Sequence, residues 1–159
     1  MRTKNKQKGF SLIELLLVVA IILIIAAIAI PNLLRSRMAA NEASAVGSLR
    51  TINTATVGYA TTYGIGYPAT LASLGPAASA TSTSADLIDS VLSAGVRSGY
   101  SFTYSALAAS AAGTRDGDTI SAAPSNAGVT GQRTFFTDTS GVIRADAVGT
   151  ANVNSTPIS

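Results

Sequence analysis

Residues 10–30, FSLIELLLVVAIILIIAAIAI, decide how this chain folds. From Leu15 to Ile30 sixteen apolar residues run without a break, and extended back to Phe10 the stretch reaches 21 residues, interrupted only by Ser11 and Glu14. At ~1.5 Å rise per residue a helix of that length spans about 30 Å, the thickness of a bilayer's hydrocarbon core. Arg2, Lys4, Lys6 and Lys8 precede it with no acid among them, and Pro31, Arg35 and Arg37 follow. A secretory signal peptide has an apolar core of about 7–15 residues and then a small-residue cleavage site. Here the core is longer and no such site comes before Pro31. The stretch therefore reads as a membrane-spanning helix. Its Lys/Arg-rich start belongs in the cytoplasm, which places residues 38–159 on the other side.

The remainder of the composition agrees. The 159 residues are enough for one domain. They are 47% hydrophobic and 12% charged, against about 25% charged in an ordinary globular domain, which fits a membrane-associated or assembled protein. There is no His and no Cys, which excludes Cys–His and Ser–His nucleophilic chemistry, disulfides and nearly all zinc and haem sites. Eight acidic residues leave little material for general acid–base work, so neither an enzyme nor a cofactor is expected. The net charge of +3 belongs to the N-terminal tail: without Arg2, Lys4, Lys6 and Lys8, seven basic side chains face eight acidic ones. The later arginines Arg97, Arg115, Arg133 and Arg144 are dispersed and give little electrostatic footprint, so no direct nucleic-acid binding is expected.

Two residues in the apolar stretch need an explanation. A carboxylate near the start of an apolar span costs about 2–3 kcal/mol on insertion scales and less near the interface. Glu14 therefore either sits solvated at the headgroup level or needs a cation partner inside the membrane or an assembly. Pro31 removes a helix hydrogen bond and crowds the preceding turn. It marks either a boundary between a membrane helix and a separate element, or a bend in one longer helix.

The run Lys8-Gly9-Phe10-Ser11-Leu12-Ile13-Glu14-Leu15 resembles the processing site of type IV prepilins and pseudopilins. It combines a short basic leader, Gly9 before the cut, Phe10 after it, an acid five residues into the mature chain and an apolar helix, and Pro31 matches the helix-bending proline of these subunits. The close match covers about residues 1–60. The resemblance implies a leader peptide at 1–9, a transmembrane and filament-core half-helix at 10–31, and an amphipathic half-helix with a globular head at 32–159. It implies that a prepilin peptidase and methyltransferase cuts between Gly9 and Phe10 and methylates the Phe10 amine. Glu14 would then pair with the Phe10 amine of a neighbouring copy, and Pro31 would bend or locally loosen the helix in the filament. The implied partners are copies of the chain itself in a helical homopolymer, the processing enzyme, the membrane, and an inner-membrane assembly platform with its motor. The implied path runs from a single-pass inner-membrane precursor to an extracellular pilus.

Beyond Pro31 a helical period continues. Leu34, Met38, Ala45, Val46, Leu49, Ile52, Thr56, Tyr59 and Tyr63 make one stripe at three- and four-residue steps, with Arg37, Asn41, Ser44, Ser48, Asn53 and Thr54 on the opposite face. One helix over about 10–63 is predicted, ended by Gly64-Ile65-Gly66-Tyr67-Pro68. A surface loop follows at 76–84, then a short helix at 85–94 starting near Ser84 or Asp86 and packed by Leu87, Val91 and Leu92. Strand patterns occur at Tyr100–Tyr104, Thr119–Ala122 and Gln132–Thr137, and Asp138-Thr139-Ser140-Gly141 reads as a hairpin turn into Val142–Ala145. The aromatics read as core against the helix rather than as a binding platform. The predicted fold is α+β, a long N-terminal helix packed on a small antiparallel sheet, which is also the type IV pilin layout.

Weaker signals are few. Asp116-Gly117-Asp118 and Asp138 could contribute calcium ligands, but no EF-hand spacing is present and an exposed turn is the simpler reading. The acidic C-terminal calcium loop of the major secretion pseudopilin has no counterpart here. With no Cys to staple it, the 147–159 stretch is expected to be a loose end. The Ser/Thr-rich loops and the Asn154-Ser155-Thr156 triplet read as solvated loop rather than sugar sites. The sequence thus points to the structural subunit of a type IV pilus. The alternatives are a secretion pseudopilin, a minor pilin, or a single-span anchored binding domain that never polymerises.

Overall fold

The computed structural model describes residues 9–158. Residues 1–8, most of the expected leader, lie outside the described residues, and with them the four basic side chains Arg2, Lys4, Lys6 and Lys8. The chain divides into two compact units, one up to Ser36 and the other Arg37–Ser159. One helix, α1 (Leu12–Tyr63), begins in the first unit, carries Pro31 inside it, and ends in the second. Pro31 is thus no element boundary, because helix continues on both sides of it. Leucine, isoleucine and alanine favour this conformation, and the prediction of one helix over 10–63 holds to within two residues. The helix stops where Gly64 takes a left-handed φ of 67° and donates its N–H to the Ala60 carbonyl at 3.0 Å, a conformation glycine adopts without a Cβ penalty.

In the second unit α1 presents Ala45, Leu49, Ile52, Ala55 and Tyr59 to a six-stranded antiparallel sheet. The strands run in simple sequence order: β1 (Val96–Arg97), β2 (Tyr100–Ala106), β3 (Asp118–Pro124), β4 (Thr134–Asp138), β5 (Arg144–Asp146) and β6 (Thr156–Pro157). Side chains alternate between faces along a strand, so Tyr100 and Phe102 of β2, Ile120 and Ala122 of β3, and Phe135 of β4 all point inward. The register places Phe102 opposite Ala122 and Ala122 opposite Phe135, so a small residue lies between two aromatic ones across the middle of the sheet. The Tyr100 and Phe135 rings lie 5.8 Å apart in a tilted arrangement. As expected, Tyr100, Phe102 and Phe135 are core and Tyr104 packs against it, whereas Phe136 lies half-buried on the other face of the sheet. The α+β architecture, a long helix on an antiparallel sheet, is the one the sequence predicts.

Four expectations are corrected. First, the polar face assigned to α1 is largely a contact face. Asn41 donates to the Thr130 carbonyl at 2.8 Å, Ser44 to Ser98 Oγ at 2.9 Å, and Asn53 to Thr137 Oγ1 at 2.9 Å. Ser48 is buried and returns its hydroxyl to Ser44 O. The sheet wraps further round the helix than its apolar stripe, and short polar side chains fill that margin with hydrogen bonds.

Second, the helix predicted at 85–94 shrinks to α2 (Ser90–Ser93), capped by Asp89, which accepts the N–H groups of Val91 and Leu92. Residues 85–88 are instead tied to a short 3₁₀ turn at Leu71–Leu74 and to Gly75 by backbone bonds. Of the three side chains expected to pack the helix, Leu92 alone is buried; Leu87 and Val91 are exposed.

Third, the strands β1 and β6 are too short to read from a pattern. Fourth, the C-terminal stretch is not loose. Thr156 and Pro157 pair with β5. Ile158 donates its N–H to Ile143 O at 2.9 Å, and Ala151 is buried. Thr134 Oγ1 donates to Gly149 O and accepts the Ala151 N–H.

Candidate functional site at the N-terminal end of the helix

The residues singled out from the sequence lie at one end of α1 and within its apolar half. Gly9 and Phe10 precede the helix, and Phe10 is 88% exposed. A Cβ added at Gly9 would meet nothing within 4 Å, and its φ is not left-handed. Neither space nor backbone conformation in this structure requires a glycine there.

Ser11 precedes the first helical residue, and Glu14 occupies the third position of the first turn. Glu14 Oε2 accepts the Ser11 N–H at 2.8 Å. This is the acidic half of a capping box, in which the third residue of the helix reaches back to an otherwise unpartnered backbone donor. The pattern Ser-x-x-Glu before an apolar run is its sequence signal. It stands in residues 11–14, a signal that the sequence reading missed. The bond turns the carboxylate toward the start of the chain, one residue from the Phe10 nitrogen. It also places negative charge at the positive end of the helix dipole.

Behind Glu14 every large apolar side chain from Leu15 to Leu34 is exposed, Val19 the least so at 45%. The helix contains a window of mean hydropathy 3.3, none of it buried within the chain. This is an apolar cylinder with no partner of its own. By length and composition it is able to cross a bilayer.

Residues 4–30 match the family described as the prokaryotic N-terminal methylation motif. The chain is also 66% identical over 35 residues to the type IV wide pilus major component PilA4 of Thermus thermophilus. The N-terminal segment thus carries this methylation motif and is similar to that of a type IV pilin. The stretch shared with the Thermus pilin is 22% of this chain and 27% of that protein, so the chain matches about a quarter of its relative's length. No solved structure matches this chain. The matched motif thus covers the start of the chain and the apolar part of α1 up to Ile30.

In that second unit one functional-looking side chain escaped the sequence reading. Glu42 is buried and accepts three hydrogen bonds: from the backbone N–H groups of Gln132 and Arg133 at 3.0 and 3.2 Å, and from Arg133 Nε at 2.8 Å. Burial alone would raise its pKa. The two backbone donors and the Arg133 guanidinium outweigh that and hold the carboxyl below the usual range. The sequence signal was available, since Glu42 falls four residues after Met38 and three before Ala45 on the buried stripe of the helix. The arrangement is a clamp between helix and sheet. Tyr100 completes it by donating its hydroxyl to Arg133 O at 2.8 Å; burial, with the Glu42 charge adding, pushes that phenol up to about 12.

Proposed function

We propose that this chain is the precursor of a structural pilus subunit, cut between Gly9 and Phe10, methylated on the Phe10 amine and polymerised into a surface filament. The observation that carries the reading is an unpartnered apolar helix with a single carboxylate at its start, directly behind the Gly9–Phe10 junction. In water such a helix has no stable home, because about 25 cal/mol for each Å² of exposed apolar surface drives it into lipid or against other copies. Moving it from lipid to a packed bundle exchanges one apolar setting for another, so subunits can be added and withdrawn without a large net penalty.

The carboxylate fits the same scheme. In the membrane Glu14 keeps the Ser11 N–H as a partner at the interface. In an assembly the free Phe10 amine of a neighbouring copy supplies a cation, and the pairing is strong where water is absent. Pairing of this kind favours one axial register over its neighbours. Pro31 gives the helix a point of reduced backbone bonding within the part that would pack. The peptidase has its own use for Gly9: a missing side chain lets an enzyme approach an extended backbone closely. The name of the Thermus relative, a major component of a wide pilus, supports a filament role over an anchored domain that stays monomeric. The membrane, an assembly platform and a motor are the further partners this reading requires, with the start of the chain on the cytoplasmic side.

The experiment is intact-mass and N-terminal analysis of protein sheared from the surface of cells expressing the gene. The expected result is an abundant chain that begins at methylated Phe10. A processed chain confined to the membrane fraction would instead assign a pseudopilin or minor pilin. An unprocessed chain in the membrane would overturn the reading in favour of an anchored binding domain.

A further inference from the structure

Asp118 opens β3 on the inner face of the sheet and is 3% exposed, and its Oδ2 has no hydrogen-bond partner. A buried carboxylate oxygen left without a donor is costly, so it calls for a physical account. The surroundings sharpen the question. The hydroxyls of Tyr104 and Thr56 neighbour the Asp118 carboxyl. Both spend their single hydrogen elsewhere: Tyr104 donates to Pro68 O at 2.9 Å and Thr56 to Asn53 O at 3.0 Å. Toward Asp118 they offer lone pairs. A second carboxylate, Asp138 on β4, shares the same small cavity of about 20 Å³, lined also by Asn53, Tyr67 and Thr139. Asp138 is held in its charged form by Ser140, whose side chain and N–H both stabilise the carboxylate. Neither ion pair among the described residues involves Asp118.

An ionised Asp118 would therefore face two hydroxyl oxygens and a like charge. A neutral one has an O–H to give and lone pairs to give it to. We propose that Asp118 is a proton site that latches the helix to the sheet: with the proton on, its carboxyl donates to the neighbouring hydroxyl oxygens and Tyr104 stays bonded to Pro68, and with the proton off, Tyr104 swings its O–H from Pro68 to the carboxylate. Pro68 follows the end of α1, so the proton on Asp118 decides whether the segment leaving the helix is fastened to β2.

The charged and titratable groups around the site agree in direction. Burial raises the Asp118 pKa most; the hydroxyls of Tyr104 on β2 and Thr56 on α1, when turned to donate to the carboxylate, lower it by less, and the Asp138 charge on β4 adds a smaller rise. Tyr67, in the segment after α1, and Arg115, before β3, act on Tyr104 rather than on Asp118. A group whose folded-state pKa is raised stabilises the fold fully below its unfolded value, and that contribution is lost as pH rises through the folded value. The latch is thus tight in acid and loosens toward neutral pH.

The test is a carboxyl-carbon NMR titration of the full chain in detergent micelles, with labelled aspartate and Asp118→Asn for assignment. The expected Asp118 midpoint lies above the ordinary 3.8. A midpoint at or below that value would overturn the proposal and show an ionised carboxylate served by a donor such as water. Melting at pH 7 gives a second readout. Asp118→Asn, which supplies an N–H donor without the charge, is expected to melt roughly 4 °C higher than the unaltered chain and to lose the acid dependence. A lower melting point for that variant at pH 7 would overturn the latch. So would a rise in melting on adding calcium or sodium that the unaltered chain shows and the variant lacks, because the site would then hold a metal cation rather than a proton. If the variant fails to fold, the Asp118 signal is assigned by sequential backbone correlations in the unaltered chain, and its titration decides alone.

Discussion

At the scale of single residues, the structure separates positions that the fold requires from positions that it does not. Gly9 belongs to the second kind, because its missing side chain relieves no contact. Gly9→Val is therefore expected to leave head melting unchanged within a degree while blocking the appearance of a chain that starts at Phe10, measured by mass spectrometry of the membrane fraction. Glu14 caps the start of the helix, and on the proposed function it also pairs outside its own chain. Glu14→Ala should keep normal subunit levels in the membrane yet reduce sheared filament at least tenfold; unchanged filament would remove the pairing role.

Glu42 is of the first kind. Glu42→Gln removes the charge from a site receiving two backbone N–H groups and a guanidinium, and hydrogen bonds to charged groups contribute about 1.5–3 kcal/mol. A loss of about 2 kcal/mol in denaturant unfolding at pH 7 is expected. Since the Glu42 carboxyl titrates below its usual value, that difference between the two proteins should be full above about pH 4.5 and shrink as pH falls through the folded value. A difference that instead grew in acid would contradict the clamp.

At the scale of elements, what could be read from the sequence follows from how many residues carry each signal. The helix over 12–63 was legible because its pattern repeats over many turns and two glycines end it. β2 and β4 were legible because Tyr100, Phe102 and Tyr104, and then Phe135 and Thr137, alternate with exposed or half-exposed neighbours. β1 and β6 have two residues each; their pairing comes from neighbours already in place, and no local pattern encodes it. The segment 85–94 shows the opposite error. Its composition suits a helix, but the backbone of Ala85 to Ile88 is taken up by bonds to residues 73–75, leaving room for one turn.

Of the candidate site, Gly9, Phe10, Glu14 and Pro31 were read from the pilin motif itself. The capping bond from Ser11 and the clamp at Glu42 depend on which way a side chain turns. Leu49 tests the helix–sheet packing directly. It is fully buried, and Leu49→Ala should lower stability by about 2–5 kcal/mol, read from urea unfolding.

At the scale of the whole molecule, the buried apolar core lies entirely within Arg37–Ser159, and among the described residues none before Arg37 adds a buried side chain to it. A chain of residues 37–159 is therefore expected to be soluble without detergent and to melt cooperatively. Aggregation or the absence of a transition would show that the apolar half is needed for folding. That chain also ends in β6, which closes the sheet by backbone pairing with β5, in a sequence without a single cysteine. A head closed in this way needs no oxidant to mature and has no bond that a thiol can cut. Reducing surroundings leave such a sheet unchanged, because its edge strand β6 is held to β5 by backbone pairing alone.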